Sequence, residues 1–183
     1  MIAKLGRRHF SGLIAGFLLA GGPIGVALAV EVDVDGLPVP RFVSTRSAPL
    51  NVRVGPGLKY DLAWIYNMAG MPVEITAEFD IWRKIRDYDG SEGWVQENLL
   101  TGNRTGLVSP WKKGPDLPLL ASAREDATPR AYLPSGFKVN IRRCDGKWCQ
   151  VDASSQDTTG RHATYTGYLK QSDLWGAYQG EVF

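Results

Sequence analysis

The chain has 183 residues, with 21 Lys or Arg, 19 Asp or Glu and two cysteines. Three of the basic residues and no acid lie in the first 29, so the remainder carries 18 basic against 19 acidic groups and offers no electrostatic footprint for nucleic acid or an acidic membrane face. Beyond residue 29 there is one histidine, His162, which excludes a His-rich metal site, and two cysteines alone do not make a zinc site.

At the N-terminus, Lys4, Arg7 and Arg8 precede an uncharged run from Phe10 to Val30 that includes Ala27-Leu28-Ala29. A basic head, an apolar middle and a small-x-small exit make residues 1–29 a signal peptide, cleaved near Ala29. Gly12, Gly16, Gly21, Gly22, Pro23 and Gly25 break the run, so a retained membrane anchor is the second and weaker reading. Arg7-Arg8-His9-Phe10 has the form of a twin-arginine signal, although Gly6 stands where Ser or Thr is usual, and ordinary export is the other route. The mature protein is expected in the periplasm or otherwise exported, with no stable membrane span.

The rest of the chain aligns with itself. At an offset of 66, Gly70-x-x-Val73-x-Ile75 falls on Gly136-x-x-Val139-x-Ile141, Trp82 on Trp148 and Ile85 on Val151. At an offset of 74, Gly93-Trp94-Val95 falls on Gly167-Tyr168-Leu169, Leu100 on Leu174, Gly102 on Gly176 and Gly106-x-Val108 on Gly180-x-Val182. Two offsets joined by one insertion describe a duplication. The copies are placed at 41–109 and 116–183, with a stiff Pro/Gly linker at 110–115 in which Trp111 is expected to pack against a neighbouring copy.

Within the first copy, Leu50 and Val52 are expected inside, flanked by Asn51 and Arg53, whose side chains tie down loops. Gly55-Pro56-Gly57 opens a long loop whose glycines are expected to supply unusual backbone angles. Val73, Ile75 and Ala77 alternate with Glu74 and Thr76, as in a half-buried strand. Ile81, Arg83 and Ile85 alternate with Trp82, Lys84 and Arg86, and Asp89-Gly90 turns the chain into Gly93-Trp94-Val95. No segment keeps helical spacing for three turns, so the fold class is all-β, with two small tandem barrels.

These residues carry a family resemblance. Leu50-Asn51-Val52-Arg53-x-Gly55-Pro56-Gly57, Gly70-x-x-Val73-x-Ile75, Trp82-x-x-Ile85, Gly90-x-x-Gly93-Trp94-Val95 and Leu100 resemble, in order, the bacterial SH3-like (SH3b) domain. The second copy keeps the later half, with Ala121-Ser122-Ala123-Arg124 where the opening signature is expected and a first loop five residues shorter. The resemblance implies partly open five-stranded barrels of a kind found in exported proteins that touch the cell wall or other envelope proteins. Eukaryotic relatives read proline-rich peptides with a proline and a tyrosine where this chain has Gln96 and Leu99, so that mode is not expected here.

Trp82, Tyr88 and Trp94, with Tyr60, Trp64 and Tyr66 on the long-loop side, form a candidate aromatic shelf for sugar rings or peptide backbone. The alternative is that these rings fill the core or cap its ends. Strand parity puts Trp82 opposite Ile81 and Ile85, making it the leading exposed contact, with Trp148 its counterpart. Cys144 and Cys149, around Asp145-Gly146, are expected to bridge a hairpin as a disulfide. Alternation puts Cys149 with Val151 on the core face but Cys144 opposite Ile141, so a bulge is required to join them. Residues 152–167 are expected to lengthen the next hairpin, either as a recognition loop or as an unselected insertion.

No catalytic residue, cofactor or metal is assigned. The two barrels use nearly all of the mature chain, the paired cysteines leave no thiol for His162, and Glu92 with Glu97 have the spacing of ordinary surface acids. The reading is a non-catalytic binding or adaptor protein whose partner is a peptidoglycan fragment or an envelope protein or peptide. The alternative is a structural or regulatory subunit of an envelope complex, acting only by protein contacts.

Overall fold

The computed structural model describes residues 31–32, 36–156 and 159–183; the signal peptide expected at 1–29 lies outside them. A short ribbon, β1 (Glu31–Val32) with β2 (Pro38–Val39), comes first. The strands β3 (Arg41–Thr45), β4 (Leu50–Arg53), β5 (Leu62–Tyr66), β6 (Pro72–Phe79), β7 (Trp82–Arg86), β8 (Glu92–Gln96) and β9 (Leu100–Thr101) build one sheet in the order β5-β4-β8-β7-β6-β3-β9. A second sheet holds β10 (Thr105–Val108), β11 (Leu117–Leu120), β12 (Pro129–Leu133), β13 (Lys138–Cys144), β14 (Trp148–Gln156), β15 (His162–Lys170) and β16 (Leu174–Trp175), in the order β12-β11-β15-β14-β13-β10-β16. The two orders are the same, element for element, and a short 3-10 turn precedes the last strand of each, at Glu97–Leu99 and Gln171–Asp173. The all-β expectation holds, and no helix among the described residues is long and apolar enough to cross a membrane.

Backbone hydrogen bonds repeat with the strands. Thr45 donates to Met71 and Val108 to Phe137; Gly70 donates to Thr45 and Gly136 to Val108. Arg46 donates to Leu99 and Ser109 to Asp173, while Glu97 donates to Ile81 and Gln171 to Lys147. Four expectations change. Thr105–Val108, expected in the first copy, pairs with β13 and β16 and opens the second sheet, so the sheets part between Thr101 and Thr105 and not at residues 110–115. The counterpart of Leu50–Arg53 is Leu117–Leu120, which pairs with β12 as β4 pairs with β5, and not Ala121–Arg124. The first loop is therefore not five residues shorter: Val54 donates to Asp61 and Ala121 to Thr128 across loops of equal length. Trp111 is exposed rather than packed on a neighbouring copy.

Each sheet closes on its own core. Leu50, Val52, Tyr66, Val73, Ile75, Ile85, Val95 and Leu100 fill the first. Leu119, Leu133, Val139, Ile141, Val151, Leu169 and Leu174 fill the second, together with the half-cystines Cys144 and Cys149. One glycine in each makes closure possible. A Cβ on Gly93 would lie 2.4 Å from Val52, and one on Gly167 would lie 2.6 Å from Leu119, so these strands must pass bare backbone over a core side chain.

The expected disulfide joins Cys144 to Cys149, directly opposed at the end of the β13–β14 hairpin with their Cα atoms 4.1 Å apart. The bulge that parity demands is present: Ile141 faces Val151, but Arg143 faces Gln150, and the slip brings Cys144 to the core side. The inserted stretch extends the next hairpin as expected, with β14 and β15 in register from Trp148↔Lys170 to Gln156↔His162.

Between the barrels runs a mostly buried seam. Phe42 on β3 meets Trp175 edge-on at 4.9 Å and Tyr178 at 4.7 Å. The Trp175 indole N–H donates to the Pro72 carbonyl at 3.2 Å, and the Tyr178 hydroxyl donates to Glu74 at 2.7 Å. Arg104 makes two hydrogen bonds to Glu181, at 2.8 and 2.9 Å, and lies 4.2 Å from the Phe183 ring centroid. Phe183 and Cys144 exchange backbone hydrogen bonds, so the last residues lie along the edge of β13. Expected as half-exposed, β6 instead buries Pro72, Val73, Glu74 and Ile75 in succession, because this tail covers its outer side.

Two predictions follow from the staple and the seam. Replacing both cysteines by alanine lowers stability by about 2 kcal/mol, the entropy of so short a loop, measured by denaturant unfolding. Burial pushes the Glu181 carboxyl up, but hydrogen bonds from Arg104 and from the Tyr178 backbone, with the Arg104 charge, hold it below its ordinary 4.5. Its contribution is therefore present above about pH 4.5 and is lost as the pH falls through the lower folded value. Tail proteolysis should rise on that acid side, and Glu181→Gln should raise it at neutral pH and flatten the dependence.

Candidate functional site

The long loop of the first barrel is organised by a ring lying on backbone. A Cβ on Gly55 would stand 2.7 Å from the Tyr60 ring, and one on Gly57 would stand 3.4 Å from it. Neither glycine has a positive φ. Their use is thus close approach, and the expectation of unusual backbone angles is corrected. Arg53 donates from Nη1 to the Tyr60 carbonyl at 2.7 Å and so fixes the loop to β4, as expected of that side chain.

Strand pairing sorts the aromatic residues. Val52, a core residue, faces Trp64, and Leu50 faces Tyr66, so both of those rings turn inward. The Tyr66 hydroxyl donates to Asp87 at 2.7 Å; burial first and then Asp87 push its phenol well above the ordinary range, which keeps it a fixed donor. Arg53 faces Trp94, and Trp94 faces Lys84, which places the half-buried Trp94 on the outer surface between two cations. Lys84 pairs with Glu92 at 2.5 Å. Tyr60 and Trp94 are therefore joined through Arg53, while Trp64 caps the core.

Trp82 is not an exposed contact. It shares the parity of Lys84 and Trp94 but is only 7% exposed, flanked by its cross-strand partners Phe79 and Gln96. Parity gives its face but does not decide its burial. Arg83, beside it, is buried too, and binds Glu78 at 3.1 Å and Glu97 at 2.5 Å at the barrel mouth. This pairing lets a guanidinium occupy a core-facing position.

The counterpart face in the second barrel is more open. Trp148 is half-buried and lies between two hollows of about 380 and 320 Å³. The first is lined by Arg143, Gln150 and Tyr168, the second by Leu120, Leu169 and Lys170. The Lys170 ammonium stands 6.0 Å from the Trp148 ring centroid. Gln150 and Tyr168 occupy the places of Lys84 and Trp94, so this is the same face with its tryptophan uncovered.

Tyr88 belongs to neither face. It sits on the turn between β7 and β8 and lines a cleft of about 600 Å³ between the barrels, with Met68 and Met71 from the first and Leu107, Phe137 and Lys138 from the second. The 66-residue offset places Met71 on Phe137 and Tyr88 on Ser154, and all four line the cleft. Sequence reading did not find this site, because its walls are close only after both copies have folded; the shared offset of those pairs is the signal it carried. Among the described residues, no three His, Cys, Asp or Glu side chains gather as a metal site would require.

No curated protein matches the chain. Residues 46–102, from the turn after β3 to just past the end of β9, match the family model for the bacterial SH3 domain, a family often involved in binding.

Proposed function

We propose that the protein is an exported, non-catalytic binding or adaptor protein that recognises peptidoglycan fragments or an envelope-protein ligand through the outer faces of its barrels. The observation that carries this reading is the recurrence of one arrangement. Trp94 lies between Arg53 and Lys84 on the first barrel, and Trp148 lies with Tyr168, Arg143 and Lys170 on the second. Flat rings give contact area to sugar rings at low entropy cost, and neighbouring cations suit the carboxylates of wall peptides. The match to a bacterial SH3 domain and a disulfide, which persists in oxidising compartments, support export and binding together.

The alternative is a subunit that acts only by protein contacts, and one observation favours it. Past Asp152, β14 pairs only with β15, so the long ribbon projects with an outer strand edge that no described strand covers. Such an edge is a template for a partner strand.

Retention on purified peptidoglycan separates the two. Wild type is expected to be retained, and Trp94→Ala and Trp148→Ala each to weaken retention about tenfold, with Trp111→Ala unchanged as the exposed control. Unchanged retention in both face variants sinks the outer-face reading. No retention of wild type, with one envelope protein co-purifying through the ribbon, favours the subunit.

A further inference from the structure

We propose that the cleft between the barrels is a second binding site, built for a short apolar peptide segment carrying one carboxylate. It uses none of the outer-face aromatics, so it stands or falls independently of wall binding.

The size and lining of the cleft argue for this. Its volume of about 600 Å³ exceeds the hollows beside Trp148 and lies within the roughly 300–1,000 Å³ that ligand sites occupy. Met68, Met71, Leu107 and Phe137 give it apolar walls, and two thioethers let those walls adapt to side chains of different shape. Met68 and Tyr88 are more than a third exposed at its lip, where nothing among the described residues covers them.

Charge selects the occupant. Among the described residues, Lys138 is the one charged side chain lining the cleft, and no acid lines it. Its ammonium donates to the Ala69 carbonyl at 2.6 Å, which pins it across the seam without neutralising it. An ammonium has three donors, so two remain to meet an acceptor. A half-buried cation facing apolar walls is stabilised most by a carboxylate held at the same place, and a neutral ligand leaves its charge uncompensated.

The frame is also fixed before any ligand arrives. The Thr105 hydroxyl donates to the Gly70 carbonyl at 2.9 Å and accepts from the Ser44 hydroxyl at 2.6 Å, joining the two sheets just behind the cleft. Ser135 donates to the Ser109 carbonyl at 2.8 Å and holds the opposite rim. Walls that need no ordering leave more of the contact energy as affinity.

The methionines supply the test. The chain has three, and the two besides Met1 both line the cleft, so methyl-labelled methionine reports on it directly in the intact, disulfide-bonded protein. The probes are N-acetyl-Leu-Phe-Ala with a free C-terminal carboxylate and the same peptide as its C-terminal amide. The acid is expected to shift the Met68 and Met71 methyl signals saturably, and the amide to bind about tenfold more weakly. Lys138→Met should bring acid and amide together. Tyr88→Ala, on an exposed turn, should weaken both while keeping their difference. Equal affinity of acid and amide for the wild type overturns the proposal, as does the absence of saturable shifts up to about 10 mM peptide, a range that covers even millimolar affinity. Methyl shifts that follow protein concentration without peptide also overturn it, because the occupant is then a second copy of the chain. None of these readouts involves peptidoglycan, so failure here and failure of the outer-face reading are separate results.

Discussion

A carboxylate that cannot be left alone organises the molecule. Glu74 points to the outer side of β6 and is only 2% exposed. Buried without partners, such a group costs several kcal/mol or loses its charge. Arg86, from the neighbouring strand, supplies two hydrogen bonds to one oxygen, and Tyr178, from the other end of the chain, supplies one to the second. Burial first and then Glu74 push the Tyr178 phenol far above its ordinary range, so it remains a donor at any physiological pH. Satisfying Glu74 thus requires the tail to dock, and docking brings Phe42, Trp175 and Arg104 into one seam. The cleft exists because this seam fixes the separation of the barrels.

The tail is itself held from its own side. Gln171, fully buried, donates to the Tyr178 and Glu181 carbonyls, and Phe183 pairs with the backbone of Cys144. The disulfide therefore does more than close a hairpin, since it fixes the strand end on which the tail lies. A small barrel with a modest core gains from such a staple. The staple sits in the second barrel, which also carries the longer hairpin and supplies the tail.

Much of this architecture was legible in the sequence, where the controlling interaction is local or periodic. Alternation and turn residues gave the strands, and the two offsets gave the duplication, which the paired backbone hydrogen bonds repeat. The bulge before Cys144 followed from parity alone, because two half-cystines on opposite faces cannot meet. What failed depends on contacts distant in sequence. The likeness of Gly106-x-Val108 to Gly180-x-Val182 is local, but β10 pairs with β13 and β16 while the tail lies along β13 further on. Glu74 reads as a solvent-side residue until Tyr178 is brought to it. Trp82 shows the limit of parity, which assigns a face but cannot say what stands on that face.

Duplication explains why the candidate sites are paired and unequal. Trp82 and Trp148 occupy equivalent strand positions, yet the first is flanked by Phe79 and Gln96 and closed, while the second is open to hollows on both sides. Trp94 and Tyr168 are likewise equivalent, but Lys84 beside one is Gln150 beside the other. Two identical faces would give one specificity twice over. The divergent pair gives a cation-flanked indole on one barrel and an indole-lined hollow on the other, held at a fixed distance by the seam. A ligand with repeating but non-identical units fits such a surface better than a compact one, because the second contact is made at the effective concentration set by the first. The seam that Glu74 helps to hold thus bears on the proposed function as well as on stability, since it sets the spacing of the two candidate faces.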